Sequence, residues 1–419
     1  MTRYLTFGTL ALVAALVGAR PAASTTEQPA WPIDAVAVNS PAQANSANPQ
    51  MTVSDRGVLL SWIERDGDLA TLRFSERTGS GWTAAQTVAS GRDWFVNWAD
   101  VPSVLRLPSG ALVAHWLQKS GADTYAYDVR LSHSEDDGKT WSASFLPHSD
   151  GTKTEHGFAS LFPLDDGLGL VWLDGRAMTA GGHGGEHGGG AMSVRFARFD
   201  RHWKQIADVA VDERVCECCP TAAAVTSDGV IAAFRDRSPT EVRDIYTSRL
   251  EGRTWSPPSP VFNDAWTIAA CPVNGPALSA AGREVALAWF TVKQDQGQAY
   301  LAFSRDAGQS YGAPIRVDDG GSLGRVDVNL LPDGAALATW IEFADQRAQF
   351  RARRVERSGA RSAAVTIAGI AGNRASGYPR VAMSRGELVF AWTESVDGGG
   401  LHVRTATAAV PPSPQTAPR

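Results

Sequence analysis

The chain has 419 residues, 43% of them hydrophobic and 20% charged, with a formal net charge of −5. These values exclude a disordered chain, and the mild acidity without any basic tail argues against a nucleic-acid partner. The 41 glycines and 14 tryptophans, against 4 cysteines, favour many short strands and tight turns over a helical bundle.

Residues 1–24 carry Arg3, an apolar run and then small residues, the pattern of a cleavable export signal. The mature chain is therefore expected to be periplasmic or secreted, with no later run long enough to span a membrane. Residues 25–47 read as loosely ordered, apart from 33–39, which has the alternation of a strand that would close a ring. From 48 to 408 one unit recurs seven times. Short apolar segments end in an aromatic residue at 62, 116, 172, 234, 289, 340 and 392, spaced 51–62 residues apart. A period near fifty made of short strands predicts an all-β fold, a single β-propeller of four-stranded blades. The tail, 409–419, reads as disordered.

Each unit repeats an internal order of strand, polar-glycine turn, apolar strand, alternating strand and outer strand. The residue two beyond the aromatic is acidic in five units, at Glu64, Asp174, Asp236, Glu342 and Glu394. These carboxylates are expected to accept backbone hydrogen bonds from the neighbouring blade, because a residue that repeats usually serves the repeat. The turn after the third strand carries Ser134, Asp136, Gly138 and Trp141 in one unit, and Ser304, Asp306, Gly308 and Tyr311 in another. There the aspartate caps turn N–H groups, the glycine takes positive φ and the aromatic packs the turn down.

These turns are Asp boxes, and their placement resembles the bacterial neuraminidase repeats of the sialidase superfamily. The resemblance covers roughly 48–408 and implies a six-bladed ring as the alternative to the seven units counted. It implies an exported protein that recognises or hydrolyses an acidic glycan, as an exo-α-sialidase-like glycosidase does. Arginines would grip a carboxylate, a tyrosine paired with glutamate would attack, and an aspartate would act as acid and base. The residues that fit are Arg235, Arg237, Arg325 and Arg380 for the clamp, Tyr378 with Glu342 or Glu394 for the nucleophile, and Asp236. One family feature is missing. Where a Phe/Tyr-Arg-Ile-Pro motif is expected, the nearest segment is Ala99-Asp100-Val101-Pro102.

All four cysteines, Cys216, Cys218, Cys219 and Cys271, fall in two loops leading into units four and five, on the expected axial face. Disulfides among them would staple the blades in an oxidising compartment. Alternatively, thiolates there, together with His156, His183 and His187, would bind copper or zinc. The alternative function is then a noncatalytic propeller whose cysteine- and histidine-rich face holds a metal or a partner protein.

Overall fold

The computed structural model describes residues 27–28, 31–79, 81–178, 190–396 and 398–413. The chain is a seven-bladed β-propeller, which sets aside the six-bladed alternative. The first strands of the blades are Ser46–Ser54, Ser103–Arg106, His156–Leu164, Ala222–Thr226, Ala277–Ala281, Ser322–Leu330 and Arg380–Ser384. Each touches the next, and the last touches the first, so the ring is closed around an axis. Blade 7 takes its fourth strand from ahead of blade 1. Val36–Val38 pairs antiparallel with Leu401–Ala409, which would otherwise present an open edge. In blade 2 the outer strand shrinks to a single bridge between Leu131 and Phe145. Among the described residues no helix is long and apolar enough to cross a membrane.

The second strands are the most buried, because each lies between two neighbouring blades. In Gly57–Asp66 the first seven residues are buried, and Trp62, Trp172 and Trp340 have no exposed surface. A buried indole N–H without a partner costs roughly 1–3 kcal/mol, and the repeat solves this locally. Trp62, Trp172 and Trp340 donate to Glu64, Asp174 and Glu342, two residues on, at 2.9, 3.0 and 2.9 Å. The recurring acids therefore serve mainly the indole of their own strand. Backbone donors are added in three cases, from Gln43 to Glu64, from Arg176 to Asp174 and from Asp319 to Glu342. Blade 5 has Thr291 at this position, and Trp289 donates instead to Asp264 at 2.7 Å. Blade 4 has Phe234 in place of tryptophan, which leaves Asp236 without that task.

The two complete turns share one hydrogen-bond set. Ser134 Oγ donates to Asp136, while the Gly138 and Thr140 N–H groups donate to Ser134 and Asp136. Ser304, Asp306, Gly308 and Ser310 repeat it. Each turn packs on the preceding blade. A Cβ on Gly138, whose φ is +83°, would meet Phe74 of blade 1 at 2.4 Å, and Trp141 lies edge-on to that ring.

Three first strands begin with an irregular register and a residue at positive φ: Asn48, Phe158 and Arg325, at 61°, 51° and 53°. Such bulges re-aim side chains at the rim of a sheet, here onto the axial face.

Candidate functional site

The loop before blade 2 carries Trp98 onto the axial face, half-buried. The bulge in blade 6 lays the Arg325 guanidinium 4.6 Å above the indole. A short turn before blade 7, Arg374–Ser376, brings Arg374 to 5.9 Å from the same ring. Tyr378 stacks on Trp98 at 6.1 Å and 18°, with Arg380 5.3 Å over Tyr378. Arg325 is anchored by the Asn373 and Gly377 carbonyls and by Ser376 Oγ. Burial, with Arg374 so close, lowers its pKa despite Tyr378. Beside Trp98 lies a cavity of about 410 Å³ lined by Asn45, Asn48, Arg65, Asn97, Trp98 and Arg374, among others. Among the described residues, no carboxylate pairs with Arg65, Arg325 or Arg374. Three unpaired guanidiniums around an aromatic floor attract an anion that offers a flat face.

The structure thus brings together Arg325, Tyr378 and Arg380 and separates the other residues expected at a sialidase-like site. Arg380 points the other way, into a cavity of about 260 Å³ on the axis with Asp327 and Asp100. Arg235 is 1% exposed and donates only to the carbonyls of Asn274, Arg243 and Phe290. Arg237 pairs with Glu241 and Glu217. Asp236 is half-buried, and that burial, with Asp212 nearby, pushes its carboxyl up to about 6. The Tyr378 hydroxyl, 3% exposed, donates to the Val273 carbonyl at 2.7 Å. Its expected partners are engaged elsewhere, Glu342 by Trp340 and Glu394 by Arg404 at 2.6 Å. No tyrosine–glutamate nucleophile is assembled from Tyr378. Sequence reasoning missed Trp98 and Arg374, which lie in segments without the repeat's signature, and Arg65, near the end of the second strand of blade 1 directly after Glu64. The only signal was an arginine and a glycine just ahead of Tyr378.

Asp100 occupies the segment nearest the missing arginine motif and is itself buried. It accepts from the Phe158 N–H at 2.8 Å and from Tyr127, which also donates to Glu155. A Cβ on Gly157 would come 2.1 Å from the Asp100 carboxylate, so this close approach requires glycine. Burial raises Asp100 to about 8; the Phe158 N–H opposes that shift and the Glu155 charge adds to it. The folded state therefore holds a proton that the unfolded chain releases above about 3.8. Stability from this group is complete at low pH and declines as pH rises from about 4 through about 8. Asp100→Asn should flatten that decline in denaturation midpoints measured across the same range.

The two cysteine loops do meet. A Cβ on Gly275 would lie 2.0 Å from the Pro220 carbonyl oxygen, so the segments pack backbone to backbone. Cys216 Sγ lies 3.0 Å from Cys219 Sγ and 3.9 Å from Cys218 Sγ, and Cys271 hydrogen-bonds to Cys218. None of the four is joined in a disulfide; three are buried and Cys271 is exposed.

His156, expected as a ligand with the cysteines, is not part of this patch. His183 and His187 fall outside the described residues. His156 stacks on His148 at 3.9 Å, and both rings are boxed by Asp128 and Asp150. The single metal set expected from the sequence is therefore two separate clusters.

No family model matches the sequence, and no curated protein matches it. Among solved structures the polysaccharide lyase Uly1 superposes with a TM-score of 0.53 at 11% identity, covering 87% of this chain and 90% of the lyase. An ulvan lyase bound to a saccharide gives 0.48 at 11% identity, over 76% of this chain and 80% of that one. A mutant of NanB sialidase from Streptococcus pneumoniae gives 0.45 at 9%, over 88% and 92%. Identities this low establish a shared fold.

Proposed function

We propose that this protein is an exported propeller that recognises an acidic glycan in the cavity beside Trp98, without hydrolysing it through Tyr378. One observation carries the reading: Arg65 and Arg374 line a tryptophan-floored cavity, Arg325 lies over the same indole, and among the described residues none of the three has a carboxylate partner. A sugar ring stacks on an indole by its apolar face, while a uronate or ulosonate carboxylate takes paired N–H donors from a guanidinium. Asn45, Asn48 and Asn97 supply hydrogen-bonding groups suited to hydroxyls. Uly1, the fold relative reported above, acts on a polysaccharide, the same broad class of ligand. Hydrolysis is not part of the reading, because Tyr378 is spent on a carbonyl and burial raises its phenol well above the ordinary range.

Calorimetric titration with a uronate oligosaccharide and with a neutral one of equal length tests this. The acidic ligand should bind, more weakly as salt rises, and the neutral one should bind far less. Equal binding of both, or of neither, would refute the proposal. A fluorogenic sialoside should show no turnover.

A further inference from the structure

We propose that Cys216, Cys218 and Cys219 bind one monovalent copper ion, with Cys271 as the thiol through which the ion arrives. The site begins where the outer strand of blade 3, Gln205–Val215, ends. The Cys216 N–H donates to the Arg235 carbonyl at 2.9 Å, which pins the loop against blade 4. The following turn folds three sulfurs inward, all within 4.8 Å of one another and all buried.

A metal held by thiolates at about 2.3 Å sets its sulfurs about 3.8–4.0 Å apart. The Cys216–Cys218 separation of 3.9 Å already meets this. Cys216 and Cys219, at 3.0 Å, need only a small side-chain rotation to open around an ion. A Cys216–Cys219 disulfide would leave Cys218 beside Cys271, so oxidation would pair all four sulfurs, and the thiol count separates that outcome from metal binding.

The donor set selects the metal. Sulfur alone faces the centre, since the one nearby carboxylate, Glu217, is held by Arg237 and Arg243. Three buried sulfurs suit a soft ion content with three ligands, whereas zinc in a structural site takes four in a tetrahedron. Arg243 stands 3.4 Å from Cys216 Sγ and offsets thiolate charge in a buried place. Cys271 lies exposed and reaches the trio only through Cys218, a position suited to passing an ion inward. Binding exchanges thiol protons for the ion, the protons passing to solvent, and no electron is transferred.

None of the four cysteines lines the Trp98 cavity, although Tyr378 packs both on Trp98 and in the cluster that holds the trio, and the copper site does not require a glycan. The test uses the full chain, reduced and kept free of oxygen, titrated with Cu(I) against a chromogenic chelator. One copper per chain is expected, with a sulfur-only shell in X-ray absorption. Cys219→Ser should weaken binding by about 100-fold or more, since lost outer-shell partners alone cost 10–100-fold. Cys271→Ser should keep one copper per chain but load it more slowly. Arg374→Ala, at the exposed rim of the glycan cavity, should leave copper binding unchanged. Displacement of copper by equimolar zinc, nitrogen or oxygen in the shell, or two disulfides in the protein as isolated would each overturn the assignment. Because the wild-type spectrum and thiol count stand by themselves, a Cys219→Ser chain that fails to fold does not shield the proposal.

Discussion

Arg235→Ala is expected to lower the unfolding free energy by about 3–5 kcal/mol, the scale seen when a buried, fully bonded charged group is broken. Arg235 ends the second strand of blade 4 and donates to Asn274 O at 3.0 and 2.8 Å, Phe290 O at 2.7 Å and Arg243 O at 2.6 Å. Its guanidinium also lies 4.9 Å from the centre of the Trp266 ring. Asn274 and Phe290 belong to blade 5 and the loop leading into it, so one side chain ties two blades together. Removing it strands three carbonyls in a dry seam between blades. Lysine has one donor head where a planar fork is needed and should recover only part of the loss. Urea unfolding measures the effect. The surviving folded molecules should bind an acidic glycan with unchanged affinity. A variant of normal stability that had lost the ligand would instead restore Arg235 to a carboxylate clamp.

Trp98→Ala should weaken acidic-glycan binding by about 30-fold or more, the 2 kcal/mol expected when the aromatic anchor of a site is truncated. The indole is the surface on which Arg325, Arg374 and Tyr378 are all arranged, so its loss removes the stacking floor and loosens two cations together. Arg374→Ala is the cleaner companion, because its side chain is exposed and its loss leaves the fold intact. It should cost about tenfold, 1.4 kcal/mol, and flatten the salt dependence. Titrations at two ionic strengths separate the two contributions. If neither variant changes affinity, the ligand binds elsewhere.

Much of the architecture could be read from the chain because propeller physics is periodic. A second strand buried between blades is largely apolar, and in three blades its indole is satisfied by the acid two residues on. Trp172 with Asp174, and Trp340 with Glu342, write that need into the sequence at a fixed spacing. The turns at Ser134 and Ser304 are just as local, since a short chain of N–H and O–H donors closes on its own aspartate.

The site was far less legible. Arg235 and Arg325 look alike in sequence, each set at the end or start of an axial strand. One is saturated by carbonyls of its own blade and the next, and the other is anchored by the turn before blade 7 and lies over Trp98; most of those partners are 39 or more residues away. His156 and the cysteines occupy equivalent positions in successive repeats. Equivalent positions in a ring share a face, yet each blade turns its loop about the axis, and so they need not share a site. The sequence by itself determined the strand period, the blade anchors, the turn chemistry and the face on which polar loops gather. Only the tertiary structure decided that seven blades close with Val36–Val38, that His156 belongs with Asp128 and Asp150, and which arginines stand without a carboxylate partner among the described residues. The first group depends on contacts a few residues apart, and the second on how far the ring rotates between one loop and the next.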